Sequence, residues 1–222
     1  MKKTLRILAF GFIFALTLWV GMGCSSSTTP LPSSDSQVLL EEAQKAIDAQ
    51  DWETAISKLE EVLRSTPNSA KAHFLLGNVY AQQDQFTKAE EHFNKALELD
   101  PKYVDARSNL GVVYYRQGKL QEAEKAFRTA LTQSPNDAEI HYNLGGVLVA
   151  LNKLDEAISE FRRAQEINPS LAEPYLGLGS VYKMQNKREE ALAAFKRYLE
   201  LSQDPVWKEK VKQMIQEMGG QP

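Results

Sequence analysis

Cysteine and histidine are scarce in this chain of 222 residues, which has one cysteine and three histidines. A lone cysteine, Cys24, excludes an intramolecular disulfide. No Cys-x-x-Cys or His-Glu-x-x-His spacing indicates a metal site, and the sequence contains neither a nucleophile elbow nor a phosphate-binding loop. We therefore expect the protein not to be an enzyme and to bind no metal or other cofactor.

The chain also has no excess of positive charge. The chain has 26 lysines and arginines against 29 aspartates and glutamates, a formal net charge of −3. Binding to a phosphate backbone requires a basic patch, so nucleic acid is not expected as a partner.

A single long apolar run is present, from Ile7 to Val20, and it follows three basic residues. It is shorter than the roughly 20 residues of a membrane-spanning helix, and small residues come after it. This pattern is typical of a secretory signal, so we predict a signal peptide over residues 1–23. Its removal would take away three positive and no negative charges and shift the formal charge from −3 to −6.

Cys24 directly follows this segment and precedes a stretch rich in serine and threonine. Its position resembles the lipobox of bacterial lipoproteins, whose cysteine is acylated and becomes the mature N-terminus; Gly23 fits that motif, whereas the two residues before it depart from it. The resemblance implies a lipid anchor at Cys24 and a flexible tether over residues 24–35. Ser25 implies sorting to the outer membrane, facing the periplasm. The alternative is an uncleaved anchor with an incidental free thiol.

The stretch from Ala70 to Gln203 repeats at a spacing of 34 residues. We number positions from the first residue of each repeat, which is Ala70, Val104, Ala138 or Ala172. Positions 7, 8, 20 and 24 hold one residue type in all four repeats: Leu76, Leu110, Leu144 and Leu178; Gly77, Gly111, Gly145 and Gly179; Ala89, Ala123, Ala157 and Ala191; Phe93, Phe127, Phe161 and Phe195.

With a tyrosine at position 11 and a proline at position 32 in most repeats, the pattern resembles the tetratricopeptide repeat (TPR) family. The resemblance implies an all-α fold, a right-handed α-solenoid of about five helix-turn-helix repeats with a C-terminal capping helix. We predict a divergent N-terminal repeat at 36–69, further repeats at 70–103, 104–137, 138–171 and 172–205, and the capping helix at 206–218.

The repeated positions also predict local structure. Glycine at position 8 should let the second helix (helix B) approach the first (helix A), because a Cβ atom would stand in the contact. Proline at position 32 should end helix B, since the residue before proline avoids the α region. His73 and His141 share position 4, which we interpret as a helix contact rather than a ligand position. Position 15 should adopt a left-handed turn conformation; it holds Asp84, Gly118, Asn152 and Asn186.

In TPR proteins the A helices line a concave groove, so the resemblance implies a groove that binds a peptide or helix of a partner protein. Asn109 and Asn143, both at position 6, resemble a two-membered asparagine ladder that could hold a peptide backbone. The alternative is that Phe74, Tyr115 and Tyr142 only complete the helix packing. The acidic residues at position 2 do not match the TPR type that clamps a C-terminal carboxylate. The candidate groove residues are Phe74, Asn78, Asn109, Val112, Tyr115, Arg116, Tyr142, Asn143 and Leu176.

Together these features favour a membrane-anchored scaffold or adaptor that binds a segment of an envelope protein and assists assembly of an envelope complex. The layout is similar to TPR lipoproteins that assist pilus secretins, outer-membrane β-barrel insertion or peptidoglycan hydrolases, and the residues do not choose among these. The alternative is a structural component of a membrane complex that self-associates into a homo-oligomer.

Overall fold

The computed structural model describes residues 34–221, which form eleven α-helices and no strand. The predicted signal peptide, Cys24 and the tether up to residue 33 lie outside the described residues. The prediction of a tether up to residue 35 is wrong for its last two residues, which belong to the first helix. None of the helices in this part of the chain is long and apolar enough to cross a membrane. The helices are α1 (Ser34–Asp48), α2 (Trp52–Ser65), α3 (Ala70–Gln82), α4 (Phe86–Leu99), α5 (Val104–Arg116), α6 (Leu120–Gln133), α7 (Ala138–Ala150), α8 (Leu154–Ile167), α9 (Glu173–Met184), α10 (Arg188–Leu201) and α11 (Pro205–Glu217).

The chain divides into two compact units within α4, between His92 and Phe93. In unit 1, α1 and α2 form the hairpin of the divergent N-terminal repeat, and α3 packs on α2. In unit 2, α5 pairs with α6, α7 with α8 and α9 with α10, and each hairpin contacts the next through α6 on α7 and α8 on α9. The all-α TPR architecture predicted from the sequence is confirmed.

The turn within each repeat is left-handed at position 15, as predicted. The φ angles are 58° at Asp84, 77° at Gly118, 59° at Asn152 and 58° at Asn186, and Gln50 has 58° at the equivalent place in the divergent repeat. The next residue along the chain donates its N–H to a carbonyl five residues earlier, which satisfies a helix-end acceptor. These bonds join Asp51 to Ala46, Gln85 to Tyr80, Lys119 to Tyr114, Lys153 to Leu148 and Lys187 to Tyr182, at 2.8 to 2.9 Å.

The three B helices α4, α6 and α8 end where the proline at position 32 predicts. The last residues of α4, α6 and α8 are Leu99, Gln133 and Ile167, each two residues before a proline. Several helices then begin with a side-chain cap, as in α7, where Oδ1 of Asp137 accepts from the N–H groups of Glu139 at 3.0 Å and Ile140 at 3.1 Å.

The core of unit 2 is built on contacts between glycine and phenylalanine. The rings of Phe127, Phe161 and Phe195, at position 24, are almost fully buried. A Cβ atom on Gly111 would stand 2.9 Å from Cζ of Phe127, and one on Gly179 would overlap the ring of Phe195. The close approach of helix A to helix B predicted for position 8 is thus confirmed, and the residue that requires it is the phenylalanine of the same repeat.

The capping helix α11 covers the end of unit 2 by packing on α10. Val211 and Ile215 on its inner face are fully buried. Its first turn is held by Asp204, whose Oδ1 accepts from the N–H groups of Val206 and Trp207. Burial of these two aliphatic side chains removes from water the apolar surface that the last hairpin would otherwise expose.

Candidate functional site

In each A helix of unit 2, the side chain at position 4 donates a hydrogen bond to a backbone carbonyl of the loop before the helix. Nη2 of Arg107 donates to the carbonyl of Pro101 at 2.8 Å, and Nε2 of His141 donates to that of Pro135 at 3.0 Å. The hydroxyl of Tyr175 makes the equivalent contact with the carbonyl of Pro169 at 3.5 Å. Three chemically different donors therefore serve one purpose, which the residue types at this position did not reveal.

His141 is the most constrained of these side chains. It is 9% exposed, and its Nδ1 lies 2.5 Å from Oε2 of Glu160 on α8. Because a carbonyl and a carboxylate both accept, both ring nitrogens donate only in the imidazolium form. Burial lowers the pKa of His141. The hydrogen bonds to Glu160 and Pro135 raise it by more, so the pKa lies above its ordinary value. This is a helix-to-helix contact, as predicted.

The other two histidines form a pair in unit 1. Nδ1 of His73 lies 3.1 Å from Nδ1 of His92, and the ring of Tyr80 stacks on His92 with centroids 5.4 Å apart. Burial lowers the pKa of His92, and the neighbouring His73 lowers it further. No group of three or more histidine, cysteine, aspartate or glutamate side chains within residues 34–221 has the arrangement of a metal site.

Seven of the nine predicted groove residues lie in unit 2, on neighbouring A helices. Packing of α7 against both α5 and α9 places these helices side by side. Tyr115 lies on α5, Tyr142 on α7 and Leu176 on α9. We call this surface the groove face; its predicted members are Asn109, Val112, Tyr115, Arg116, Tyr142, Asn143 and Leu176.

Two tyrosines of the groove face differ in solvent exposure. Tyr115 is 44% exposed, whereas Tyr142 is mostly buried and its ring centroid lies 5.8 Å from that of Phe161. Beside them, a Cβ atom on Gly146 would meet nothing within 4 Å, so the face is open at this point. The groove face thus combines the exposed ring of Tyr115, the ring of Tyr142 that packs on Phe161, and open space at Gly146.

The asparagine ladder ends at Asn143 for a packing reason. Asn109 and Asn143 are both partly exposed. The next position 6 holds Gly177, where a Cβ atom would stand 2.6 Å from Cζ of Phe161. Phe161 therefore excludes any side chain at that place, and this could not be read from the periodicity of the sequence.

Carboxylates occupy the end of the groove face where the A helices begin. Asp105, Glu139 and Glu173 lie in the first turns of α5, α7 and α9. Burial raises the pKa of Glu139, and the nearby charges of Asp137 and Glu173 raise it further. Burial also raises the pKa of Tyr142, with a smaller effect from Glu173. The family resemblance implies that these position-2 residues face the groove, although they were not among the nine candidate groove residues.

The remaining two predicted groove residues, Phe74 and Asn78, lie on α3 in unit 1. Phe74 is 7% exposed, and Nζ of Lys71 lies 5.2 Å from its ring centroid. Asn78 is partly exposed. The ring of Phe74 therefore presents little surface to a partner.

Models of one repeat family match almost all of the described chain. A model described as tetratricopeptide repeat matches residues 46–95 and 148–214, and a second with that description matches residues 108–172. A third, described as TPR repeat, matches residues 77–118. No curated protein matches the sequence.

Several solved structures share the fold. MamA from Desulfovibrio magneticus RS-1 is 22% identical with a TM-score of 0.71, over 78% of this chain and 99% of that one. PilF of Pseudomonas aeruginosa is 19% identical with a TM-score of 0.73, over 82% and 85% of the two chains. YrrB is 24% identical with a TM-score of 0.65, over 81% of this chain and 92% of that one. At these identities the similarity shows the fold alone.

Proposed function

The chain belongs to the tetratricopeptide repeat family, a family of protein-interaction scaffolds, and from this premise we propose that it is an adaptor. The adaptor binds a peptide or helix of another envelope protein on the groove face of unit 2. It assists assembly of an envelope complex without chemistry of its own.

The observation that carries this proposal is the exposed ring of Tyr115 beside Tyr142 and the open space at Gly146. Aromatic side chains dominate the energetics of protein interfaces because they bury a large area with few rotatable bonds. Asn143 adds an amide that can donate to and accept from a peptide backbone. YrrB, which shares the fold, is described as a TPR protein with an unusual peptide-binding site, and a peptide is also the ligand class that suits this face.

Anchoring is the second part of the proposal. Cys24 carries the lipid, and residues 24–33, which end at the start of α1, form the tether that gives the folded repeats reach from the outer membrane into the periplasm. Pilus and secretin assembly, outer-membrane assembly and cell-wall machinery are the envelope processes that fit such an adaptor.

Partner capture from detergent-solubilised envelope tests the binding site. We expect wild-type protein to retain one envelope protein and Tyr115→Ala with Tyr142→Ala to lose it. Trp207→Ala is the control, because this ring is 37% exposed on α11 and is not a member of the groove face. Circular dichroism must show equal helix content in all variants. Undiminished capture by the double variant would contradict the proposed site.

Mass analysis of the mature N-terminus tests the anchor. We expect acylated Cys24 as the first residue and a Cys24→Ala variant that no longer fractionates with membranes. An unlipidated N-terminus would contradict the anchor. Recovery of the protein alone in the capture experiment would favour the self-associating component instead.

A further inference from the structure

Two imidazole side chains, one on α3 and one on α4, meet in unit 1. Nδ1 of His73 lies 3.1 Å from Nδ1 of His92, and the centroids of the two rings lie 5.3 Å apart. Both residues are partly exposed to solvent. They are 19 residues apart in the chain and match no metal-binding motif, so the sequence did not show them as a pair.

The packing of helix A on helix B does not require a polar pair at this place. His73 and His92 occupy positions 4 and 23 of their repeat. Position 23 is an alanine in two repeats of unit 2, at Ala126 and Ala194, and both of these repeats form the same hairpin. Imidazoles at both positions therefore have a role beyond holding the two helices together.

The two nitrogens have nearly the spacing of two ligands on one metal ion. A Zn–N bond is about 2.1 Å long, so two such bonds at the tetrahedral angle place their nitrogens about 3.4 Å apart. The spacing of 3.1 Å between the two Nδ1 atoms differs from this by only about 0.3 Å. A chelated ion would replace the proton that the two nitrogens otherwise share, because a neutral imidazole has one donor and one acceptor nitrogen.

The surroundings of the pair favour metal binding in two ways. The ring of Tyr80, which is 9% exposed, stacks on His92 with an interplanar angle of 19°, so the orientation of this ligand is fixed before an ion binds. A histidine also binds a metal only when it is neutral. Burial lowers the pKa of His92, and His73 lowers it further, so the neutral form is favoured.

We propose that His73 and His92 chelate a divalent transition-metal ion such as Zn²⁺, each through Nδ1, with water at the remaining coordination positions. Imidazole suits Zn²⁺, Ni²⁺ and Cu²⁺, whereas Mg²⁺ and Ca²⁺ prefer oxygen ligands. Two protein ligands bind an ion more weakly than the four of a structural zinc site. The ion would link α3 to α4 in unit 1, whereas the groove face lies in unit 2, so this inference does not rest on the adaptor function.

Isothermal titration calorimetry of full-length protein in detergent tests the site. The probe is ZnCl₂, and MgCl₂ is the comparison salt. We expect Zn²⁺ to bind at one site per chain that Mg²⁺ does not occupy. His73→Gln and His92→Gln should each weaken Zn²⁺ binding at least about tenfold, because one of the two ligands is lost. Glutamine can still form a hydrogen bond with the remaining histidine, and circular dichroism must show equal helix content.

The matched control is His141→Gln, which removes the third histidine of the chain. Both ring nitrogens of His141 are already hydrogen-bonded, to Glu160 and to the carbonyl of Pro135, so this side chain is not available to a metal ion. We expect its Zn²⁺ affinity to stay within about twofold of wild type, because independent sites have nearly additive effects.

Four results would overturn the inference: no Zn²⁺ binding by the wild type, equal binding of Mg²⁺, wild-type affinity in His73→Gln or His92→Gln, or an equal loss of affinity in His141→Gln. None of these outcomes involves Tyr115 or Tyr142. Envelope capture that depends on those two tyrosines would therefore support the adaptor function whether or not the metal site is found.

Discussion

Gly145 lies directly against Phe161, such that a Cβ atom on the glycine would stand 2.5 Å from Cε1 of the ring. The tip of the same ring also lies against Gly177 of the next repeat, where a Cβ atom would stand 2.6 Å from Cζ. Phe161 is 2% exposed. This contact therefore sets the distance both within one hairpin and between neighbouring hairpins, and it places Tyr142 on the groove face.

Gly145→Ala should destabilise the protein, whereas Gly146→Ala should not. Overpacking a buried contact costs about 1–3 kcal/mol, which exceeds the gain of about 1 kcal/mol in helix propensity. At Gly146 an added Cβ meets nothing within 4 Å, so only the propensity gain remains. Thermal unfolding of the two variants beside the wild type gives the comparison. A lower melting temperature for Gly146→Ala than for Gly145→Ala would contradict the packing assignment.

Extending the asparagine ladder by Gly177→Asn should fail. The new side chain would overlap the ring of Phe161, so we expect destabilisation of about 1–3 kcal/mol and no gain in partner capture. Chemical denaturation and the capture experiment together provide the measurement. A stable variant with stronger capture would show that Gly177 is not required for packing.

His141 should make unit 2 more stable at mildly acidic pH than at alkaline pH. Its folded pKa is raised above the ordinary value of 6.5, so its contribution is fully present below about pH 6.5 and is lost as the pH rises through the folded pKa. We expect His141→Gln to remove this dependence, because glutamine can still donate to Pro135 but does not titrate. Urea unfolding at a series of pH values around and above 6.5 provides the measurement, and identical pH profiles for the two proteins would contradict it.

His92 should have the opposite effect in unit 1. Burial and the nearby His73 lower its pKa, so its contribution is present above about pH 6.5 and is lost as the pH falls through the folded pKa. Glu60 and Glu91 oppose this shift, and Lys88 adds to it. Hydrogen exchange resolved by segment should show α3 losing protection on acidification.

The matched variant is His92→Gln, which keeps a hydrogen-bonding partner for His73 and removes the titrating group. We expect the acid-induced loss of protection in unit 1 to disappear in this variant, with unit 2 unaffected. Persistence of the full acid effect in His92→Gln would assign it to other groups.

Much of the fold could be predicted because the information is local and repeated. Left-handed turns at position 15 follow from Asp84, Gly118, Asn152 and Asn186, which tolerate positive φ, and the prolines fix the ends of the B helices. The periodic glycines indicated close helix contacts before any partner atom was known. The family resemblance identified the A helices as the side of the protein to search for a binding site.

The features that could not be predicted depend on which side chains the packing of the helices brings together. The sequence shows Gly177 only as an interruption of a ladder, whereas in the structure Phe161 from the preceding repeat occupies the space. It shows Arg107, His141 and Tyr175 as an irregular set of residues, whereas all three reach the same carbonyl position.

By itself the sequence determined the repeat length, the ends of the B helices that precede a proline, and the all-α fold, because each depends on backbone preferences and apolar spacing within a few residues. Only the tertiary structure decided which aromatic ring of the groove face is exposed and which histidine is hydrogen-bonded to a carboxylate on the neighbouring helix. Exposure and charge compensation depend on atoms contributed by neighbouring repeats, and the distance from one repeat to the next is set by packing rather than by sequence.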